Sequence, residues 1–118
     1  MSDDIWGWGT GTVRENPEAG GLKTVRQFDV GSGYDFDEFI IWQVADGERY
    51  YWAQDSGCSC PVPFDRFRSL DDLHYGAFRD ALVDLKAWAD SEDRYCSDRD
   101  MLPVRKYLDE QSRERWQG

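Results

Sequence analysis

Residues 39–64 read Phe39-Ile-Ile-Trp-Gln-Val-Ala-Asp-Gly-Glu-Arg-Tyr-Tyr-Trp-Ala-Gln-Asp-Ser-Gly-Cys-Ser-Cys-Pro-Val-Pro-Phe64. Two apolar runs, Phe39–Val44 and Tyr50–Ala53, flank Asp46-Gly47. That dipeptide suits a two-residue primed turn, in which both central positions take positive φ. Counting outward from it pairs Ala45 with Glu48, Gln43 with Tyr50, Trp42 with Tyr51, Ile41 with Trp52 and Ile40 with Ala53. Ile40, Trp42, Val44, Tyr51 and Ala53 then share one face of the hairpin, and Phe39, Ile41, Tyr50 and Trp52 the other. Both faces are apolar, so both need cover. A lone hairpin is not stable in water.

Upstream, residues 22–30 alternate weakly, with Leu22, Phe28 and Val30 assigned to one face and Thr24 and Arg26 between them. This predicts a first strand, ended by Gly31-Ser32-Gly33. Residues 1–21 form a glycine-broken arm. In an extended segment its Trp6 and Trp8 point the same way, and the arm is expected to pin these rings onto the sheet.

Downstream, Pro61 and Pro63 exclude helix and central strand and make residues 56–68 a stiff loop. Ser69 with Asp72 three residues on signals a helix start, interrupted near Gly76. From Tyr75 to Asp90 the period is helical, with Phe78, Ala81, Leu82, Leu85, Trp88 and Ala89 on one stripe and Arg79, Asp80, Lys86 and Asp90 facing out. Ser97 starts a second helix, with Pro103 expected near its first turn. Met101, Val104, Leu108 and Trp116 line its inner side, and Arg105, Asp109 and Arg113 form i,i+4 pairs on its wet side. Strands followed by helices predict an α+β fold: a short antiparallel three-stranded meander with two C-terminal helices packed on one face. The chain reads as one domain over 1–118, divided into the arm at 1–21, the meander at 22–55, the Cys/Pro loop at 56–68 and the helices at 69–118.

The 118 residues include six Trp, six Tyr and six Phe and carry a net charge of −10. Residues 1–60 contribute −7 of this and residues 61–118 contribute −3. That sign opposes binding to phosphate backbones and to anionic membrane surfaces. It fits a soluble protein, the reading preferred, or one that docks on a basic surface; any partner is expected to be a protein with a basic or apolar surface. No run approaches the roughly 20 apolar residues of a membrane span. The start, MSDDIWGWG, is no secretory signal. Three cysteines, an odd number, argue against a disulfide framework and for a reducing cytoplasm.

Cys58 and Cys60 on an extended loop can turn two thiolates toward one ion, and His74 and Cys96 could complete a tetrahedral zinc site. The spacing matches no common zinc finger. The competing reading has Cys58 and Cys60 as small buried apolar groups. A nucleophilic-cysteine enzyme also needs a base and an orienting acid. His74 is the single histidine, so no catalytic residues are assigned. Asp55 and Ser56 are expected to shape the exit of the strand through local hydrogen bonds. The sequence contains no phosphate-cradling or dinucleotide-binding glycine motif. The acidic residues could also imitate DNA phosphates, but Arg and Lys interleave with Asp and Glu on the helices, which leaves the N-terminal half as the better surface for such mimicry.

The segment Tyr50-Tyr51-Trp52-Ala53-Gln54-Asp55-Ser56-Gly57-Cys58-Ser59-Cys60-Pro61-Val62-Pro63-Phe64 resembles small proteins of unknown function encoded by phages of actinobacteria. In those an apolar hairpin precedes an Asp-Ser-Gly-Cys-x-Cys-Pro-x-Pro-Phe loop. The likeness spans roughly residues 37–73, with Asp55, Ser56, Gly57, Cys58, Cys60, Pro61 and Phe64 as its signature. It implies a phage gene expressed in the host cytoplasm, with host takeover or counter-defence as its setting. The expected activity is non-catalytic binding of a host or phage protein through Trp42, Tyr50, Trp52, Asp55, Ser56 and Phe64. The zinc-stabilised module and the DNA mimic are the alternatives.

Overall fold

The computed structural model describes residues 5–6, 11–30, 35–45, 47–58, 64, 67–90 and 98–117, with the backbone alone at 35–36, 58, 98–100 and 112–117. Trp8, Asp46, Cys60, Pro61, Pro63, Cys96 and Ser97, the Gly31–Gly33 break, and the side chains of Cys58, Arg113 and Trp116 lie outside the described residues.

Among the described residues a four-stranded antiparallel sheet runs in the order β1 (Leu22–Asp29), β2 (Asp35–Val44), β3 (Tyr50–Cys58), β4 (His74–Gly76). Two helices follow, α1 (Phe78–Ala89) and α2 (Asp98–Gln117). The class is α+β with a meander, as expected, but with a fourth strand. The Ser69 signal initiates only a single 3-10 turn, Leu70–Asp72. There the Asp72 carboxylate accepts the amides of Arg68 at 2.9 Å and Ser69 at 3.2 Å. His74–Gly76 then pairs with Tyr50–Trp52. The free edge of β3 satisfies backbone groups that a helix interrupted at Gly76 would leave exposed.

The hairpin register matches the count from the turn: Gln43 faces Tyr50, Trp42 faces Tyr51, Ile41 faces Trp52 and Ile40 faces Ala53. The turn itself differs. The Gly47 amide donates to the Val44 carbonyl at 3.2 Å, and Gly47 lies outside the left-handed region. The Val44 amide donates to Arg49 O at 3.0 Å. The connection is therefore a four-residue loop rather than a two-residue primed turn. The register survives because the alternation of apolar side chains sets it. Beyond Asp55 the strand does not turn away. Ser56, Gly57 and Cys58 pair with Asp37, Phe36 and Asp35, so β2 carries its partner three residues further.

β1 corrects one assignment. Thr24 pairs with Trp42 and Arg26 with Ile41, so Val25 is an extra residue in a β-bulge. A bulge inverts the alternation beyond it. Leu22 therefore packs with Ile40 and Trp42, while Phe28 and Val30 pack with Phe39 and Ile41 on the opposite side. They do not share a face. The bulge also twists an exposed edge strand away from edge-to-edge pairing.

Each sheet face has its own core. α1 and α2 cover Phe28, Phe39, Ile41 and Trp52 with Ala81, Leu85, Trp88, Ala89, Met101 and Val104. Phe78 and Leu82 pack against this cluster, completing the expected stripe of α1, and Leu108 packs beside Tyr107 on α2. The other face, with Ile40, Trp42 and Ala53, is covered by Trp6 and Val13 of the arm and by Phe64 and Leu73. Trp6 is seated by backbone bonds from Ile5 and Trp6 to Arg68 O, at 2.6 and 2.9 Å, and by its indole donating to Asn16 O at 2.6 Å. Its ring lies on Gly20, where a Cβ would stand 2.7 Å from two ring atoms.

Pro103 falls in the second turn of α2 rather than the first. It is exposed there, and its ring supplies no amide to the helix ladder. Arg105, expected on the wet side beside Asp109, reaches across to the end of α1. It bonds Asp90 Oδ1 at 3.1 Å and Ala89 O at 3.4 Å, placing a cation at the negative end of that helix. This bond, then Lys86, holds the Asp90 carboxyl below its ordinary value.

Candidate functional site

A cleft of about 340 Å³ opens where β3 and β4 meet α1, lined by Phe39, Trp52, Gln54, His74, Asp84, Ala87 and Trp88. The period-2 alternation of β2 and β3 delivers Phe39, Trp52 and Gln54 to this face. β4 pairs His74 directly with Trp52, and the two rings stack with centroids 6.0 Å apart and planes at 20°. On α1, Asp84 shares the turn of Leu85 and lies one turn before Trp88, which points it at the sheet. The Trp52 indole donates to Asp84 Oδ2 at 2.6 Å, and the Trp88 indole donates to Asp37 Oδ1 at 3.0 Å. Two neighbouring indoles thus each hold a carboxylate on the seam between helix and sheet. The walls are aromatic and the fixed charge in the lining is a carboxylate. No hydroxyl, thiol or amine nucleophile is among the lining residues.

The proposed binding residues fall in different places. Trp42 and Phe64 are 0% exposed and Trp52 is 3% exposed. These three are core residues of a folded chain, and among the described residues both hairpin faces are covered except along the cleft, where Trp52 meets solvent at its margin. Tyr50 is half-buried, its ring 5.1 Å from Phe78. Ser56 is exposed, and its amide donates to Asp55 Oδ1 at 3.0 Å. Asp55 Oδ2 accepts the Phe64 amide at 2.9 Å. One carboxylate therefore closes the base of the segment between residues 55 and 64, a longer-range version of the expected strand exit. Phe64 is held at φ 67°, a conformation costing a side-chain-bearing residue about 1–2 kcal/mol. Full burial of its ring, edge-on to Trp42 at 6.1 Å and 88°, offsets that strain.

Of the four zinc candidates, His74 alone has a described side chain. Cys60 and Cys96 lie outside the described residues, and only the backbone of Cys58 is described. That backbone decides one point. His74 pairs with Trp52, whereas Cys58 lies six residues further along β3, or about 20 Å at the rise of a strand. Ligands of one zinc ion lie about 2 Å from it, so His74 and Cys58 cannot share a site in this fold. Among the described residues no group of three or more His, Cys, Asp or Glu side chains is placed to hold a metal ion.

Two bonded carboxylates, one in the cleft lining and one buried, are missing from the residues the sequence singled out. Asp84 carries a signal, since it shares the i+3 and i+4 stripe with Ala81 and Trp88. Glu38 carries another, since it takes the inward register of Ile40 and Trp42. It is 1% exposed, and its Oε1 accepts Arg14 Nε and Gln27 Nε2, each at 2.8 Å.

Together these features define a small α+β protein whose antiparallel sheet is covered on both sides and whose helix–sheet seam holds an aromatic, acidic cleft. A family model matches residues 11–113, and the chain belongs to that family, the domain of unknown function DUF7574. No curated protein and no solved structure matches the chain. No helix among the described residues is long and apolar enough to cross a membrane.

Proposed function

We propose that this chain is a phage-encoded, non-catalytic binding protein that acts in the host cytoplasm on a host or phage protein with a basic surface. The observation that carries this reading is the chemistry of the cleft: aromatic walls and a carboxylate already bonded by an indole. The net charge of −10 supports it through long-range attraction of a basic partner. The phage origin and the host setting rest on the resemblance of the Tyr50–Phe64 segment alone. Host lysate passed over immobilised protein tests the reading, with a variant neutralised at exposed acids as control. Enrichment of a basic protein on the unmodified chain over the control supports it, and equal recovery on both sinks it. The zinc-stabilised alternative, left with the cysteines, is tested by elemental analysis of the purified protein.

A further inference from the structure

We propose that the cleft between β3, β4 and α1 is a receptor for one arginine side chain of a polypeptide partner. This rests on the binding reading above and names the chemistry of its contact. The volume, about 340 Å³, is at the lower end for ligand pockets and suits one side chain or a small molecule rather than an extended segment. Its lining holds Asp84 and no Lys or Arg, so the local field favours a cation. The Trp52 indole occupies Asp84 Oδ2 at 2.6 Å, and no described residue bonds the second oxygen. The indole thereby fixes the carboxylate in advance, so an incoming donor meets an acceptor already in place. The exposed His74 ring lies parallel to Trp52 at the mouth, a flat surface on which a planar guanidinium stacks. A compact, strongly hydrated ammonium gains less from such a surface.

The test uses the full chain and follows its indole N–H signals by two-dimensional NMR. Acetyl-arginine-amide is titrated in, and acetyl-citrulline-amide, of the same shape without the charge, serves as the control. The expected result is a saturable shift of the Trp52 indole with arginine, with citrulline weaker by about tenfold, the scale of one lost charge-assisted contact. Asp84→Asn retains an oxygen for the Trp52 indole and removes the charge. It should abolish the arginine shift, whereas Glu48→Gln, which removes an exposed charge elsewhere, should leave it. Equal response to arginine and citrulline, arginine shifts spread over the acidic surface, or no Trp52 response at millimolar arginine would each overturn the proposal. If Asp84→Asn melts early, the arginine-to-citrulline comparison on the unmodified chain decides alone. A partner captured from lysate equally well by Asp84→Asn would sink the arginine receptor while leaving the binding function standing.

Discussion

Arg14→Met should destabilise the protein by about 2 kcal/mol, and the reason lies in three neighbouring carboxylates. Glu38 pairs with Asp29 on one side and Asp55 on the other, so like charges occupy one rung of the sheet, an arrangement that is unfavourable by itself. Among the described residues the cation bonded to Glu38 is Arg14, at 2.8 Å. Removing one partner of a fully buried ion pair costs about 3–5 kcal/mol, whereas exposed pairs contribute about 0–1 kcal/mol. The Glu38 side chain is 1% exposed and that of Arg14 is 34% exposed, which places this pair between the two limits. Methionine keeps the apolar stem and removes the charge and its donors. With a urea m-value of about 2 kcal/mol/M for a chain of this size, the unfolding midpoint should fall by about 1 M. Adding Glu38→Gln leaves a neutral acceptor for Gln27 and removes the stranded charge. The double variant should therefore recover about 1 kcal/mol of the loss, a coupling measured by a double-mutant cycle from tryptophan fluorescence. A cost of Arg14→Met below about 0.5 kcal/mol, or additive single effects, would refute the view that the arm is fastened through this pair.

Three further outcomes follow from particular contacts. Gly20→Ala places a methyl 2.7 Å from the Trp6 ring. It should cost about 1–3 kcal/mol in thermal or urea unfolding as the ring is displaced. Trp42→Phe should be milder than Trp88→Phe by about 1–2 kcal/mol. Among the described residues the buried Trp42 indole N–H has no acceptor, whereas that of Trp88 donates to Asp37 at 3.0 Å. Asp90 titrates below its ordinary 3.8 because Arg105 and then Lys86 bond it. Its stabilising contribution is present above that ordinary value and lost as pH falls through the lower folded one. Arg105→Gln should move the Asp90 carboxyl back up toward 3.8 in an NMR titration, and an unmoved resonance would count against the contact.

Much of the architecture was legible because it depends on alternation, and alternation is local. The Ile40/Trp42 and Phe39/Ile41 sets fixed the hairpin register even though the turn chemistry was misassigned. A one-residue slip would have turned every one of those side chains to the wrong core. The bulge at Val25 was not legible. Leu22, Phe28 and Val30 all have the same parity, and only their pairing with β2 reveals the added residue between them. β4 was hidden for a similar reason. Three residues, His74–Gly76, carry no period of their own and become a strand because β3 offers an unpaired edge.

The site was harder to read than the fold, because the residues singled out for binding were the most apolar or the most unusual ones. A large ring in a small domain is more valuable as core than as surface, which is why Trp42 and Phe64 are fully enclosed. What distinguishes the cleft is a pair of polar residues: Asp84 on the buried stripe of α1 and the exposed His74 opposite Trp52. Asp37 and Glu38 obey the same logic on β2, one meeting the Trp88 indole and the other meeting Arg14. A carboxylate in an inward register must find a donor or be lost to desolvation. Here tryptophan indoles supply two of those donors, so the abundance of tryptophan and the excess of acid, which seem unrelated in the composition, are coupled in the folded protein. That coupling holds Asp84 in place through one oxygen, and the other is the acceptor that the proposed arginine would meet.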